Sequence, residues 1–318
     1  MFNLNNSNKL DILKQANKYA NSIILNKHKK DIQNNFISWC GSFRTGNYKY
    51  HKDLFDLSLK LKKDKIIAIL LTINDLPLPI ELCNIILSYF DFNDIHTNKT
   101  LYDYIHACPK EKYYTISWLD TSCVTSLHNM FCGMKDFNIC LNDWNTSNVY
   151  DMESTFNNCC LFNQNLDKWN TSKVVTMKCM FIDCGQFNKC IVKWNVSNVI
   201  DMTCMFMNCK RFNQELNEWN VEKVKDMNFM FNNCQLFDVR LDKWNTKNVK
   251  NMVCMFTGCK QMNQDLSSWD VKEVINMNCM FSNCKRLNIN LKKWELNSQL
   301  TNKNMFRGCV MMLEEYKI

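Results

Sequence analysis

The segment that decides the fold reads MKCMFIDCGQFNKCIVKW, from Met177 to Trp194. Within it, Met177, Met180, Phe181 and Cys184 follow a spacing of i, i+3, i+4 and i+7. This spacing places four apolar side chains on one face of a short helix. The apolar residues after them, up to the tryptophan, predict a short extended segment, and the Asn-Val-Ser-Asn that comes next supplies turn-forming residues.

The same pattern returns at a constant interval along the C-terminal two-thirds of the chain. The tryptophans are evenly spaced after a first interval that is one residue longer, at Trp118, Trp144, Trp169, Trp194, Trp219, Trp244, Trp269 and Trp294. A phenylalanine column follows at Phe131, Phe156, Phe181, Phe206, Phe231, Phe256, Phe281 and Phe306. A cysteine column lies three residues beyond it, at Cys159, Cys184, Cys209, Cys234, Cys259, Cys284 and Cys309. A period in the range of about 20–50 residues indicates a stacked repeat array.

The interval from one tryptophan to the next predicts the shape of each coil. Helix-pair repeats need about 33 residues or more, whereas leucine-rich repeats need about 20–29, so 25 residues favour one short helix or 3₁₀ turn and one strand per coil. We therefore predict an α/β fold: a leucine-rich-repeat-like solenoid of about eight 25-residue coils over residues 116–310. A small α-helical N-terminal domain, residues 1–115, precedes it, and residues 311–318 form a C-terminal tail.

The strict columns are interpreted as the scaffold, because one coil cannot bury its apolar face without its neighbours. We expect these side chains in the core: Trp169, Trp194, Trp219, Phe181, Phe206, Cys184 and Cys209. An exposed tryptophan stripe for a partner is the alternative, but a stripe of that length would invite aggregation. A polar column at Asn138, Asn163, Asn188, Asn213, Asp238, Asn263 and Asn288 is interpreted as buried side chains that satisfy the backbone of adjacent turns, with a ligand ladder as the alternative.

Binding specificity is expected where the units differ, since solenoids diversify a surface on a fixed scaffold. The pairs just before each tryptophan vary most clearly. We predict a partner surface at Val192, Lys193, Asn217, Glu218, Asp242, Lys243, Ser267 and Ser268. For any one of these positions an ordinary solvated side chain is the competing interpretation.

The repeat unit resembles that of a known family. The unit that runs from Met262 through Trp269 to Val271, followed by Val274, Met277, Met280-Phe281 and Cys284, resembles the 25-residue BspA-like leucine-rich repeat of mycoplasma surface lipoproteins. Related arrays occur in amoebae and giant viruses, and the Asn-, Lys- and Ile-rich composition suits such an AT-rich viral genome. The resemblance implies a leucine-rich-repeat-like solenoid with an adhesion or protein-interaction role.

A second resemblance lies in the N-terminal region. The stretch over residues 75–95 is similar to the opening of an F-box. The residues that match are Leu78, Pro79, Glu81, Leu82, Ile86, Leu87, Tyr89 and Phe90. This similarity implies docking to the Skp-type adaptor of a cullin–RING ubiquitin ligase. A short amphipathic helix that caps the first coil is the competing interpretation.

No catalytic constellation or cofactor motif is present in the sequence, so we expect a non-enzymatic protein without a cofactor. Repeated C-x₄-C pairs such as Cys179/Cys184 permit zinc in spacing, but the sequence lacks C-x₂-C and its repeats contain a single histidine, His128. Buried free thiols are the favoured interpretation, and no metal site is predicted. The aspartates Asp151, Asp201 and Asp226 are interpreted as caps of the helical segment.

Charge and hydropathy limit the partners further. The net charge of +8 divides into +5 over residues 1–115 and +3 over residues 116–318, so the repeats carry no concentrated basic stripe for nucleic acid. The longest apolar run, residues 66–73, falls far short of the ~20 residues that span a bilayer, and no signal peptide is evident. The sequence therefore predicts a soluble intracellular protein-interaction protein, located in the host cytoplasm if it is viral, with a ubiquitin-ligase adaptor as the alternative.

Overall fold

The repeated units stack on one another in parallel register. The structure, a computed structural model, describes residues 97–318. Seven isolated parallel bridges join each unit to the next. They connect one column of residues, namely Ser126, Asp151, Thr176, Asp201, Asp226, Asn251, Asn276 and Thr301. Each bridge joins equivalent residues of consecutive units, so the stacking register equals the sequence period.

Alternate amides in the Met-Phe-x-x-Cys segment point to different partners. The N–H of Met180 donates to the carbonyl of Met177 at 3.2 Å and closes a turn within its own unit. The N–H of Phe181 instead donates to the carbonyl of Met205 in the next unit at 2.9 Å. Because every second amide is committed to a neighbouring unit, an α-helical ladder cannot form. The segment is a run of turns, where the apolar spacing had indicated a short helix.

Left-handed residues recur at two positions of every unit. One of them carries Gly133, Asn158, Asp183, Asn208, Asn233, Gly258, Asn283 and Gly308, all with φ between 60° and 79°. Glycine, asparagine and aspartate are the residues that adopt this region most readily. The other position carries Asn129, Ser154, Cys179, Cys204, Phe229, Cys254, Cys279 and Asn304, with φ between 53° and 59°. These residues bend the chain back into the next turn.

Aromatic rings fill the centre of the stack. The rings of Phe181 and Phe206, in neighbouring units, lie nearly parallel with centroids 5.6 Å apart. Within one unit Phe181 also stacks on Phe187 at 4.2 Å. Phe181 therefore contacts rings in its own unit and in both neighbours. Full burial of such a side chain stabilises the fold by about 1.5–3 kcal/mol.

The first unit is covered by helix α1, Asn98–Ala107, which begins at a capping box formed by Thr97 and Thr100. The side-chain oxygen of Asn98 accepts the N–H of Thr125 at 2.9 Å, and His106 Nε2 lies 3.2 Å from the carbonyl of Met130. A 3₁₀ helix, Lys110–Trp118, follows, and a second one, Glu314–Tyr316, lies near the other end.

In residues 97–318 the repeats themselves contribute turns and isolated bridges in place of α-helices or continuous strands. The assignment to an α/β leucine-rich-repeat-like solenoid thus stays a prediction. The F-box-like segment at residues 75–95 lies outside the described residues.

Candidate functional site

The predicted structural columns lie in the core. Each tryptophan from Trp144 to Trp294 is at most 5% exposed, and its indole N–H donates to a main-chain carbonyl of the preceding unit. Trp194 donates to the carbonyl of Leu166 at 2.9 Å, and Trp219 donates to that of Ile191 at 3.3 Å. These indoles are therefore satisfied inside the stack and do not form a binding stripe.

The column of Asn138 and its equivalents forms a continuous ladder, but on the surface. The N–H of Asn188 donates to Oδ1 of Asn163 at 3.0 Å, and Oδ1 of Asn188 accepts the N–H of Asn213 at 3.0 Å. Asp238 continues the ladder by accepting the N–H of Asn263 at 2.9 Å. We expected these side chains to be buried, yet they are half-buried or exposed. Each side-chain oxygen accepts the backbone N–H of the equivalent residue in the next unit, and this bond forms at the surface.

The predicted partner surface divides into two columns. The first member of each pair faces the neighbouring unit: Asn217 is buried, donates to the carboxylate of Asp242 at 3.2 Å and accepts the N–H of Lys243 at 3.0 Å. Val192 and Ser267 are half-buried in the same column. The side chain of Asn217 thus joins two units, and this column leaves only part of its surface for a partner.

The second member of each pair is exposed but largely engaged. The ammonium of Lys243 pairs with the carboxylate of Glu218 in the preceding unit. The hydroxyl of Ser268 donates to the carbonyl of Asp242 at 2.8 Å. Lys193 lies exposed in the same column. The structure therefore brings the predicted residues into register, as two adjacent columns on one side of the stack.

A different column presents apolar side chains to solvent, and sequence reasoning missed it. Tyr150, Val175 and Ile200 are 52%, 39% and 41% exposed. The N–H of Val175 donates to the carbonyl of Tyr150 at 2.8 Å, and the N–H of Ile200 donates to that of Val175 at 2.9 Å. The three residues thus lie on consecutive units in register, and we call them the apolar stripe.

Charged residues extend the column of the apolar stripe. The equivalent residues of the next two units are Lys225 and Lys250, both exposed, and Ile275, 43% exposed, follows. Each member directly precedes a bridging residue such as Asp151 or Asp201. Variation at a fixed place in the period was the signal that could have identified this column.

Among the cysteines, two columns that recur along the repeats form two classes of thiol. The column that includes Cys184 and Cys209 is buried, and each thiol donates to the carbonyl of a phenylalanine in the preceding unit, at 3.0 Å for both. Burial raises the pKa of these two thiols well above its usual range. Such thiols stay protonated and act as small core residues.

The second class is half-buried and lies at a left-handed backbone position. It contains Cys179, Cys204, Cys254 and Cys279. A hydrogen bond from the Cys204 thiol lowers the pKa of Cys179, against the effect of partial burial, and the charge of Lys178 lowers it further. The same hydrogen bond raises the pKa of Cys204. The lowered pKa increases the thiolate fraction of Cys179 at neutral pH.

The recurring aspartates are committed to local structure. Oδ1 of Asp201 accepts the N–H of Thr203 at 2.8 Å, and Oδ1 of Asp151 accepts that of Glu153 at 2.9 Å. Asp226 accepts the hydroxyl of Thr203 at 3.1 Å. Asp151 and Asp201 therefore cap turns, whereas the sequence had predicted caps of a helical segment.

A cleft of about 420 Å³ lies near the last units. Asp265, Lys293 and Tyr316 form part of its lining.

The described part of the chain lacks two kinds of feature. Among residues 97–318 no group of three or more His, Cys, Asp or Glu side chains is placed to hold a metal ion. Within the same residues no helix has the length and apolar character needed to cross a membrane. The F-box-like residues from Leu78 to Phe90 fall outside this range, so their placement is not described.

Comparison with known proteins gives one result. Residues 99–219 and residues 200–317 each match the family model described as "Mycoplasma protein of unknown function, DUF285". Together the two matches cover more than half of the chain. No curated protein matches it, and no solved structure does.

Proposed function

The chain belongs to the family described as Mycoplasma protein of unknown function, DUF285, and from that premise we propose that it is a non-enzymatic repeat protein that binds another protein. We further propose that its units are BspA-like leucine-rich repeats stacked as a solenoid. Support comes from the parallel register of the bridges and from the resemblance of the unit around Trp269 to that repeat.

The observation that carries the proposal is the apolar stripe. Core residues repeat almost unchanged from unit to unit and are buried inside the stack, and the side chains of the ladder residues are engaged in hydrogen bonds to the next unit. Tyr150, Val175 and Ile200 instead face solvent on three consecutive units. A contiguous apolar surface beside polar residues marks an interaction site, and tyrosine is enriched among the residues that dominate binding energy.

The residues beyond the stripe indicate the chemistry of the partner. Lys225 and Lys250 extend the column, and Lys250 pairs with Glu273 in a neighbouring unit. A partner surface that offers an apolar patch with a carboxylate at one end would complement this arrangement. The stripe and these two lysines together lie on five consecutive units in register.

The experiment compares two double variants of the full chain as affinity baits in cells that express it. Tyr150→Ser/Ile200→Ser removes apolar surface from the stripe, and Lys193→Ser/Ser268→Ala changes the predicted pair surface. Both variants alter exposed side chains, so both should stay folded, which circular dichroism would check.

We expect the wild type and the pair-surface variant to retain the same protein, and the stripe variant to lose it. Loss in the pair-surface variant alone would move the site to the columns before each tryptophan. Failure of the wild type to retain any protein above an unrelated control bait would contradict the proposed function.

The F-box-like similarity supports an alternative proposal, a substrate-recognition adaptor of a cullin–RING ubiquitin ligase. It depends on the residues from Leu78 to Phe90. A pull-down of a Skp-type adaptor by the full chain tests it, with Leu82→Asp/Ile86→Asp as the variant and a known F-box as the positive control. Binding that the variant abolishes would favour this alternative, and no binding beside a working control would exclude it.

A further inference from the structure

The half-buried cysteines form pairs in adjacent units. Cys179 and Cys204 occupy equivalent positions in consecutive units, as do Cys254 and Cys279. The N–H of Cys179 donates at 2.8 Å to the carbonyl of Thr203, the residue directly before Cys204. The N–H of Cys254 donates at 2.9 Å to the carbonyl of Asn278, directly before Cys279.

These bonds hold each pair in register at the spacing of stacked chains, about 4.8 Å between neighbouring backbones. A disulfide needs Cα atoms about 4.4–6.8 Å apart, so the stack already supplies the required separation. The thiol of Cys204 is the largest influence on the pKa of Cys179, and the thiol of Cys279 acts on the pKa of Cys254, so the two thiols of each pair lie close to each other.

The backbone conformation at these positions does not favour cysteine. Cys179, Cys204, Cys254 and Cys279 have φ between 53° and 59°, a region that suits asparagine or glycine. At the two ends of this column Asn129 and Asn304 adopt the same conformation. Backbone conformation thus does not account for the four cysteines, and the same column also accommodates Ser154 and Phe229.

We propose that Cys179–Cys204 and Cys254–Cys279 are two dithiol modification sites, at which a peroxide forms a disulfide between neighbouring units. The thiolate of one cysteine attacks a peroxide oxygen, the O–O bond breaks, and hydroxide leaves. The sulfur is oxidised to a sulfenic acid while the peroxide is reduced. The second thiol then attacks that sulfur, the S–O bond breaks, and water leaves with the thiol proton as the S–S bond forms.

The two pairs are expected to differ in rate. The thiol of Cys204 and the nearby charge of Lys178 lower the pKa of Cys179. The lowered pKa raises the thiolate fraction of Cys179 at neutral pH. Partial burial raises the pKa of Cys254. The disulfide between Cys179 and Cys204 should therefore form first.

The test exposes the folded full-length protein to hydrogen peroxide, alkylates it in denaturant and maps the peptides by mass spectrometry. We expect the loss of four alkylatable thiols, two cross-linked peptide pairs, and recovery of all four thiols on reduction. The buried cysteines, such as Cys209, should remain alkylatable after denaturation because peroxide does not reach them in the fold.

Two variants distinguish oxidation of the proposed pairs from oxidation of other cysteines. Cys204→Ser should abolish the first disulfide and leave Cys179 as a sulfenic acid that dimedone traps, while the second pair still forms its disulfide. Cys190→Ser changes an exposed cysteine whose equivalents in the adjacent units are Asn165 and Glu215, and it should leave both disulfides intact. Disulfides that scatter over exposed cysteines or join different chains, or a Cys204→Ser protein that oxidises like the wild type, would overturn the proposal.

Discussion

At the scale of single residues, Gly258 lies at a left-handed backbone position and Gly185 does not. Gly258 has φ of +76°, and a Cβ there would lie 3.5 Å from the Cα of Asn233, an ordinary contact. Gly185 has no such φ, and a Cβ there would meet nothing within 4 Å. The two glycines therefore differ in conformation more than in available space.

We predict that Gly258→Ala lowers the free energy of unfolding by about 1–2 kcal/mol, because an L-residue with a Cβ is disfavoured at this φ. Gly258→Asn should cost less, since Asn233 and Asn283 adopt φ of 60° at the same place in their units. Gly185→Ala should be neutral or stabilise by about 0.4–1 kcal/mol. Urea unfolding of the three variants measures the differences, and equal effects of the two alanine substitutions would contradict the assignment.

Single residues also show why the binding surface was only partly predictable. Lys193, in one of the variable pairs, is exposed, but Asn217, in another pair that we predicted for the surface, is buried. The sequence shows that a position varies and does not show whether the side chain points to solvent or to the next unit. The stripe at Tyr150 needed the bridge register before its exposure could be recognised.

At the scale of one unit, the period of the sequence predicts which residues form columns, but it does not predict the backbone conformation of the unit. Spacing of i, i+3, i+4 and i+7 describes a helix face, and it also describes a run of turns in which alternate amides bond to the next unit. The spacing from Met177 to Cys184 is compatible with either conformation, and the structure shows the run of turns. Asn, Asp or Gly at positions such as Asn158, Asp183 and Gly258 was the available signal for left-handed turns, which an α-helix does not tolerate.

The asparagine ladder gives the prediction at this scale. Oδ1 of Asn188 accepts the N–H of Asn213 at 3.0 Å and the side-chain amide of Gln214 at 2.9 Å. Asn188→Ala leaves both donors without this acceptor and should lower the free energy of unfolding by about 1 kcal/mol.

The matched control is Asn188→Asp, which keeps an acceptor oxygen in the same place. Asp238 shows that the ladder accommodates a carboxylate, since it accepts the N–H of Asn263 and the side-chain amide of Gln264. Urea unfolding at neutral pH should therefore place the aspartate variant close to the wild type. An aspartate variant as unstable as the alanine variant would mean that the ladder bond contributes little.

At the scale of the whole molecule, the stacked core thiols act together. Burial raises the pKa of every thiol in one column above its ordinary value. The column consists of Cys159, Cys184, Cys209, Cys234, Cys259, Cys284 and Cys309. One repeated residue thereby gives the entire stack a common dependence on pH.

The sign of that dependence follows from proton linkage. In the unfolded chain a thiol loses its proton near about pH 8.5, whereas in the fold it stays protonated to higher pH. The stability associated with each buried thiol is complete below about pH 8.5 and is lost as the pH rises from there towards the folded pKa. Each thiol contributes a slope of about 1.4 kcal/mol per pH unit in that window.

We therefore predict steep alkaline unfolding above about pH 9, measured as the urea midpoint against pH. Cys209→Ala should lower stability at every pH, through the lost packing, but should also flatten the alkaline slope by about 1.4 kcal/mol per pH unit. Cys190→Ser, at an exposed position, should leave the slope unchanged. If Cys209→Ala shifted the curve without changing its slope, the buried thiols would not control the alkaline transition, and titration of lysines and tyrosines would have to account for it.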